Sequence, residues 1–375
     1  MDTKVTEDQR ALLDVSSRFM ERSCPVALVR DDERRDAAFG ESYRRQAAEL
    51  GWFSMLVPEA QGGGSISGNG VLDAALIAYQ RGARLQPGSF VGTNVVADAV
   101  AAAGGDDLRP EVLGALVDGT RSASWAVASP DHAGDPAGGV HAEPVGDGGL
   151  ELTGVKTAVQ DVEASSWLLV TAQGPEGPAQ ALLAADSEGV TVTALESLDV
   201  SRRFAEVRLD HARVPSSAIL GAPDTVVELV DRQLAVAATL TAAEAVGAMD
   251  HEFEMTLQYA KDRIAFGRPI GSFQAVKHLL ADTSLSLEMS KAVVLAAART
   301  LGSDDDYGPQ AASIAKALVG EAALELVQNC FQVFGGIGYT WEHDQHLYLR
   351  RLTTDAGLFG DADWHREHLC QLAGL

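Results

Sequence analysis

The sequence predicts an α+β fold that is mostly α-helical, with an N-terminal helical domain, a middle β domain and a C-terminal helical bundle. This prediction rests on how hydrophobic periodicity changes along the 375 residues. Apolar residues recur at helical spacing over residues 1–120 and again over residues 223–375. Residues 121–222 instead contain short alternating runs separated by turn residues.

Helix signals dominate the first 120 residues. Thr6 and Gln9 form the pattern of a capping box, and helical spacing continues at residues 71–78 and 95–103. Residues 57–65 contain a proline and three consecutive glycines. We therefore expect helices that are interrupted by a loop at this point.

Runs typical of β-strands occupy the middle of the chain. Turns rich in glycine or proline separate them, and they lie at residues 124–127, 150–153, 167–170, 190–192 and 204–209. Short strands that follow one another closely favour a small antiparallel barrel or sandwich.

The last third of the chain is again predicted to be helical. Thr225 and Glu228 repeat the capping-box pattern before a long alanine-rich run. Further helices are expected at residues 275–301, 309–334 and 344–355. Small side chains allow helices to approach closely, so these elements predict a four-helix bundle.

The charge balance excludes several classes of partner. The chain has 29 basic and 53 acidic residues, a formal net charge of −24. Such a surface disfavours nucleic acid and anionic membranes, although a local site for an anionic small molecule remains compatible with it. The beginning of the sequence does not resemble a signal peptide. The three scattered cysteines indicate a reducing, cytoplasmic setting.

Three segments carry the most specific information. Residues 259–274 include Arg263 and Gln274, residues 332–340 begin with Gln332 and contain three glycines, and residues 50–65 form the predicted loop. Their order and spacing resemble the motifs of flavin-dependent acyl-CoA dehydrogenases, over essentially the whole chain. The resemblance implies the fold of that family, FAD as cofactor and dehydrogenation of an acyl-CoA thioester between Cα and Cβ.

The residue types in these motifs suit a dinucleotide. A guanidinium can bind a pyrophosphate bidentately, an amide can bind ribose or adenine edges, and glycines let a ligand approach the backbone. In the family, the matching positions bind the adenosine and pyrophosphate half of FAD across a subunit interface. These positions are Arg263, Phe266, Gln274, Gln332, Val333, Gly335 and Gly336.

Each residue also has an ordinary structural interpretation. Arg263 could simply stabilise the dipole of a helix C-terminus, and Gly335 and Gly336 could form a helix C-cap. The combined motifs, with Gln274 following Arg263 at the family's spacing, favour the flavin interpretation.

The chain departs from the family where the chemistry takes place. A dehydrogenase of this kind needs a carboxylate base for the α-proton, and the family places a glutamate at one of two positions. Phe359 and Ala237 occupy those positions here, and neither accepts a proton. Glu244 and Asp361 are weak candidates for the base, and we interpret them instead as polar helix contacts or a helix N-cap.

The segments that in the family hold the flavin ring are also altered. Residues 128–135 match the family's ring-cradling motif poorly, and Ala158 stands where an aromatic residue is expected. Residues 341–351 and 358–362 resemble an actinobacterial subgroup in which two different subunits form α2β2 heterotetramers that act on bulky CoA esters, such as steroid side chains. The resemblance implies that this chain completes the FAD site of a subunit that carries the base.

Other interpretations remain open. The chain could form a homotetramer, act as a self-sufficient oxidase or monooxygenase of the same fold, or be a structural subunit without flavin. An electron-transfer flavoprotein is expected as electron acceptor by analogy with the family. The His343/His346 and His365/His368 pairs have a spacing found in metal sites, but we interpret them as solvated helix faces and expect no metal.

Overall fold

The computed structural model describes residues 5–31, 40–130, 135–146, 148–303 and 305–374. Its N-terminal part is helical, as predicted. The capping box at Thr6 is confirmed, because Thr6 Oγ1 accepts from the Gln9 amide at 3.2 Å and Gln9 Oε1 accepts from the Thr6 amide at 3.0 Å. The helices are α1 (Glu7–Ser23), α2 (Glu41–Glu49), α3 (Gly70–Ala83), α4 (Phe90–Ala103) and α5 (Leu108–Val117).

An aromatic cluster joins these helices. The Trp52 ring lies edge-on to Phe19, Tyr43 and Phe90, with centroids 5.6, 6.3 and 6.1 Å away. Its indole nitrogen donates to Ser16 Oγ at 3.0 Å, which satisfies its one polar atom inside the core. The rings therefore fix how α1, α2 and α4 pack.

The middle of the chain forms one eight-stranded sheet. The strands are β1 (Ala123–Ala126), β2 (Val140–Pro144), β3 (Leu150–Gln160), β4 (Trp167–Gly174), β5 (Gly177–Ala184), β6 (Val190–Leu195), β7 (Phe204–Val214) and β8 (Ile219–Leu220). Their order in the sheet is β6-β7-β3-β2-β4-β5-β8, with β1 paired to β4. The antiparallel expectation holds for most pairs but is wrong at β4, which pairs in parallel with both β1 and β2.

The reason for this topology is the connection that follows β1. The chain leaves β1 and makes the β2–β3 hairpin before it returns as β4, so β4 runs alongside β1 in the same direction. One face of the sheet buries its own apolar core, which includes Val140, Leu152, Leu168 and Val207.

The C-terminal part is the predicted helical bundle, in which α6 is the long central helix. The helices are α6 (Val226–Asp262), α7 (Gln274–Leu301), α8 (Gly308–Phe334), α9 (Gln345–Gly357) and α10 (Ala362–Leu372). The helices α3 and α6 touch through their backbones, since a Cβ on Gly247 would lie 1.8 Å from the Tyr79 carbonyl oxygen. Within the described ranges, none of the helices is both long and apolar enough to cross a bilayer.

The predicted capping box at Thr225 is wrong. Thr225 has φ −114° and ψ −15°, a helical conformation, and its side chain makes no cap hydrogen bond to α6. Its hydroxyl instead accepts from the Ala222 amide at 3.1 Å. An N-cap side chain reaches the helix from an extended backbone, and this backbone turns the hydroxyl back to the preceding loop.

Candidate functional site

The first candidate surface lies at the end of α6. A two-residue hairpin connects β9 (Ile264–Ala265) to β10 (Arg268–Pro269), and its tip residues Phe266 and Gly267 have φ values of 52° and 79°. Two consecutive positive φ values are typical of a type I′ turn, which suits glycine but is unfavourable for phenylalanine. The Phe266 side chain is 95% exposed. Phe266 thus combines an unfavourable backbone conformation with an almost fully exposed ring. This combination points to contact with a ligand or partner outside this chain.

The second motif lies beside the first. The rings of Tyr259, on the last turn of α6, and Phe334, at the end of α8, have centroids 4.9 Å apart. Gly335 follows with φ 63° and ψ −142°, and a Cβ on Gly335 or Gly336 would meet nothing within 4 Å. The structure thus places Arg263, at the end of α6, close to the exposed glycine backbone at the end of α8.

The polar side chains of this surface are not used within the chain. Arg263, Gln274 and Gln332 are exposed. Within the described ranges they take part in no side-chain hydrogen bond or ion pair. Val333 differs from them, because it is 9% exposed and packs in the core. A guanidinium, two amides and exposed glycine backbone fit the pyrophosphate and adenosine of a dinucleotide. We call Arg263, Gln274, Gln332 and the exposed backbone of Gly335 and Gly336 the adenosine face.

A separate cavity of about 280 Å³ is lined by part of the predicted ring-cradling segment and by Phe359, one of the two predicted base positions. Leu234 of α6, Phe359, Trp364 and residues 127–129 contribute to its lining. The structure therefore brings together segments that are far apart in sequence. Residues 131–134 of the ring-cradling segment lie outside the described residues.

Neither of the two positions expected to hold a base carries a carboxylate; Phe359 lines this cavity, and Ala237 lies close to it in α6. Ala237 is fully buried in α6, one turn from the cavity residue Leu234. Phe359 adopts φ 55° and stacks its ring on Trp125, with centroids 6.0 Å apart and planes 15° from parallel. The Phe359 ring, supported by Trp125, therefore makes this part of the cavity wall apolar.

The strand expected to support a flavin ring is also distorted. Ala158 has φ 49°, and the pairing of β3 with β7 shifts register between Lys156 and Val159. Such a shift is a β-bulge, which redirects the side chains that follow it. Gln160, next along the strand, is held by Arg202, whose Nη1 donates to its Oε1 at 2.9 Å.

Asp361 is confirmed as a helix N-cap. Its Oδ1 accepts from the Trp364 amide at 2.8 Å, at the start of α10. It also lines the cavity, as does Asp135, whose Oδ1 accepts from the Ala137 amide at 3.0 Å. Each of these two cavity carboxylates therefore already binds a local backbone amide through one of its oxygens.

Glu244 lies instead in a buried ionic cluster that the sequence did not predict. Its two oxygens accept from Arg81 Nε at 3.2 Å and from Arg202 Nη2 at 2.7 Å. Arg202 also donates to Asp355, and Arg351 lies 3.3 Å from Asp199. We call these six residues the arginine cluster. Their side chains are at most 3% exposed.

The arginine cluster determines the charge state of Glu244. Burial alone would raise its pKa, but the guanidinium groups of Arg202, Arg81 and Arg351 outweigh that effect and hold the pKa below its usual value. The cluster contains three cations and three carboxylates contributed by α3, α6, α9 and the loop before β7. An ionised and fully paired Glu244 is a structural residue.

The interpretation of His365 as part of a solvated face is wrong. His365 is 2% exposed, and burial lowers its pKa to about 3. It lies among side chains of α8 and contacts Ser313 at 3.2 Å. The described residues contain no group of three histidine, cysteine or acidic side chains placed to bind a metal.

A buried lysine supports one wall of the cavity. Lys156 of β3 is fully buried, and its Nζ donates to the carbonyls of Val127, Pro136 and Gly138 at 3.2, 2.8 and 2.7 Å. Burial lowers its pKa to about 7, against the opposing influence of Asp135. Its position in an alternating strand, facing the inside of the sheet, is the only sequence signal that could have identified it.

Comparisons with known proteins agree with this architecture. Residues 6–120 match the model of the acyl-CoA dehydrogenase N-terminal domain, and residues 227–372 match that of the C-terminal domain. Acyl-CoA dehydrogenase FadE27 of Mycobacterium tuberculosis is 30% identical over 93% of this chain and 92% of its own length. Acyl-CoA dehydrogenase FadE34 of the same organism is 34% identical over 84% of this chain, which spans only 39% of that protein.

Solved structures show the same fold. The structure of a variant of the "Tcur3481-Tcur3483 steroid ACAD" is 28% identical, has a TM-score of 0.86 and is matched over 98% of both chains. The ChsE4-ChsE5 complex from Mycobacterium tuberculosis is 25% identical, has a TM-score of 0.85 and is matched over 100% of this chain and 99% of that one.

Proposed function

Because this chain is a member of the acyl-CoA dehydrogenase family, with FAD as the family's cofactor, we propose that it completes the FAD site of a partner subunit. The partner would carry the catalytic base, and together they would dehydrogenate an acyl-CoA thioester between Cα and Cβ. The observation that carries the proposal is a contrast: the polar side chains of the adenosine face make no hydrogen bond or ion pair within the described ranges, whereas the base positions are Phe359, in the cavity wall, and the buried Ala237.

The residues of the adenosine face and the neighbouring Phe266 have distinct tasks in this proposal. Arg263 would bind the pyrophosphate, since a guanidinium offers two parallel donors to adjacent oxygens. Gln274 and Gln332 would orient the adenosine through their amides. Phe266 would cover the nucleotide and exclude water, which accounts for a ring that is 95% exposed in the single chain. The bound flavin supplies the acceptor for the hydride from Cβ.

The partner and the substrate are also proposals. Two of the similar solved structures each have two named components, the Tcur3481-Tcur3483 steroid ACAD and the ChsE4-ChsE5 complex. Their similarity to this chain supports an α2β2 heterotetramer that acts on a bulky, steroid-derived CoA ester. An electron-transfer flavoprotein would then reoxidise the flavin, by analogy with the family.

The experiment measures flavin content and oligomeric mass for the chain alone and after co-expression with a neighbouring acyl-CoA dehydrogenase gene. We expect substoichiometric flavin alone and about one FAD per heterodimer with the partner, accompanied by activity. Arg263→Ala should lower the flavin content of the heteromer at least tenfold. Lys261→Ala, an exposed cation on the same helix end, is the matched control and should leave it unchanged.

One observation favours a second candidate. Asp361 lines the cavity, so a self-sufficient flavoenzyme with Asp361 as base is the alternative. A yellow homotetramer with one FAD per chain, whose activity is lost in Asp361→Asn, would establish that alternative and overturn the heteromer proposal.

A further inference from the structure

The turn at residues 356–360 has an unfavourable backbone. Phe359 and Gly360 have φ values of 55° and 98°, both in the left-handed region. A non-glycine residue there costs about 1–2 kcal/mol. The conformation therefore needs support from neighbouring groups, and it determines where the Phe359 ring lies.

A buried lysine provides the first support. Lys316 of α8 is 1% exposed, and its Nζ donates to the carbonyls of Ala356 at 2.9 Å and Gly360 at 2.7 Å. These carbonyls lie at the two ends of the turn, so a single ammonium group holds both. No carboxylate hydrogen bond to Lys316 is found in the described part of the chain.

A neutral histidine provides the second support. His365 Nε2 lies 3.1 Å from the Phe359 carbonyl oxygen, which can only accept, so Nε2 carries the proton and donates. Nδ1 is then left to accept from Ser313 Oγ at 3.2 Å. Ser313 and Lys316 are three residues apart on α8, so they lie on one face of that helix.

The turn matters because of the ring it positions. Phe359 packs against Trp125 and forms part of the cavity wall together with Leu234 and Trp364. Lys156 binds another part of the cavity lining in the same way, through the carbonyls of Val127, Pro136 and Gly138. Both parts of the lining are thus held by hydrogen bonds from buried side chains to main-chain oxygens.

We propose that Lys316 and His365 are positioning residues that clamp the 356–360 turn, keep Phe359 as the cavity wall and so restrict entry to the cavity. Their removal leaves strained backbone and unpaired carbonyls, which favour an open turn. The proposal concerns the cavity of the single chain and does not depend on the heteromer or on FAD.

The test uses a cysteine at the turn as reporter. In a Cys370→Ser background, Phe359→Cys is labelled with a thiol reagent, while the buried Cys24 and Cys330 report global unfolding. Lys316→Met should raise the labelling rate of residue 359 at least tenfold without labelling Cys24 or Cys330. Lys277→Met, at an exposed lysine of α7, should not change the rate.

A rate that Lys316→Met leaves unchanged would overturn the proposal. If that variant unfolds, shown by labelling of Cys24 and Cys330, the milder Ser313→Ala variant decides. Ser313→Ala removes only the hydroxyl that orients His365, and we expect a rate increase of about threefold. An unchanged rate in Ser313→Ala, with Cys24 and Cys330 protected, would equally refute the clamp.

Discussion

Glu244→Gln distinguishes a structural from a catalytic role for this carboxylate. The substitution keeps the size of the side chain but removes one of the three negative charges of the arginine cluster. The Glu244 oxygens accept from two different arginines. The glutamine oxygen can serve only one of them, and its NH2 group would face the other guanidinium.

The expected loss of stability follows from burial. Removing one partner of a buried ion pair destabilises a protein by about 3–5 kcal/mol, because the remaining charge is left uncompensated. Unfolding entropy near 60 °C is about 2.1 cal/mol/K per residue, so a chain of 375 residues has roughly 0.8 kcal/mol/K. The melting temperature should therefore fall by roughly 4–6 °C.

The assay is calorimetric melting of the purified chain at pH 7, with Glu228→Gln as the matched control on the exposed face of the same helix. The control should melt within about 1 °C of the parent, as expected for an exposed site. A fall of less than about 1.5 °C in Glu244→Gln would refute the structural role derived from these magnitudes. Loss of activity at unchanged melting temperature would instead identify Glu244 as the base.

Three further outcomes are expected. Burial raises the pKa of Glu252 well above its usual value, so the folded state keeps a proton that the unfolded state loses. The stability of the folded chain therefore falls as pH rises above the ordinary glutamate range. Glu252→Gln should remove this pH dependence, so that its melting temperature exceeds the parent's by a margin that grows from pH 5 to pH 8. Phe266→Gly should relieve the positive φ and stabilise the isolated chain by about 1 kcal/mol in denaturant unfolding, yet lower the FAD content of the heteromer. Thr6→Ala should cost about 1 kcal/mol and Thr225→Ala measurably less in the same denaturant assay, because only Thr6 caps its helix.

The sequence predicted those features that depend on local spacing. Helix bounds, the capping box at Thr6 and the motif around Arg263 all follow from residues within a few turns of one another. The parallel pairing of β4 and the failed cap at Thr225 could not be predicted in this way. The first depends on the path of the chain through the sheet, and the second on one pair of backbone angles.

The arginine cluster and the buried lysines were missed for a different reason. Arg202, Glu244 and Asp355 come from separate segments, and each taken alone resembles an ordinary surface charge. Lys316 stands in an otherwise apolar part of α8, which is a signal that a lysine either reaches solvent or is satisfied inside. Only the packed structure shows that its partners are main-chain carbonyls.

Polar groups that are hydrogen-bonded within the chain and polar groups that are not lie in different places. This separation supports the proposed site shared between two subunits. A catalytic site needs at least one reachable group whose hydrogen-bonding capacity is not already used to hold the fold. In the described part of the cavity, Asp135 and Asp361 each bind a backbone amide, while Glu244 is paired with arginines and Lys316 donates to main-chain carbonyls. The uncommitted guanidinium and amides lie instead on the adenosine face, at the outer surface. In the proposed heteromer, a second subunit placed against that face would complete the site with these groups.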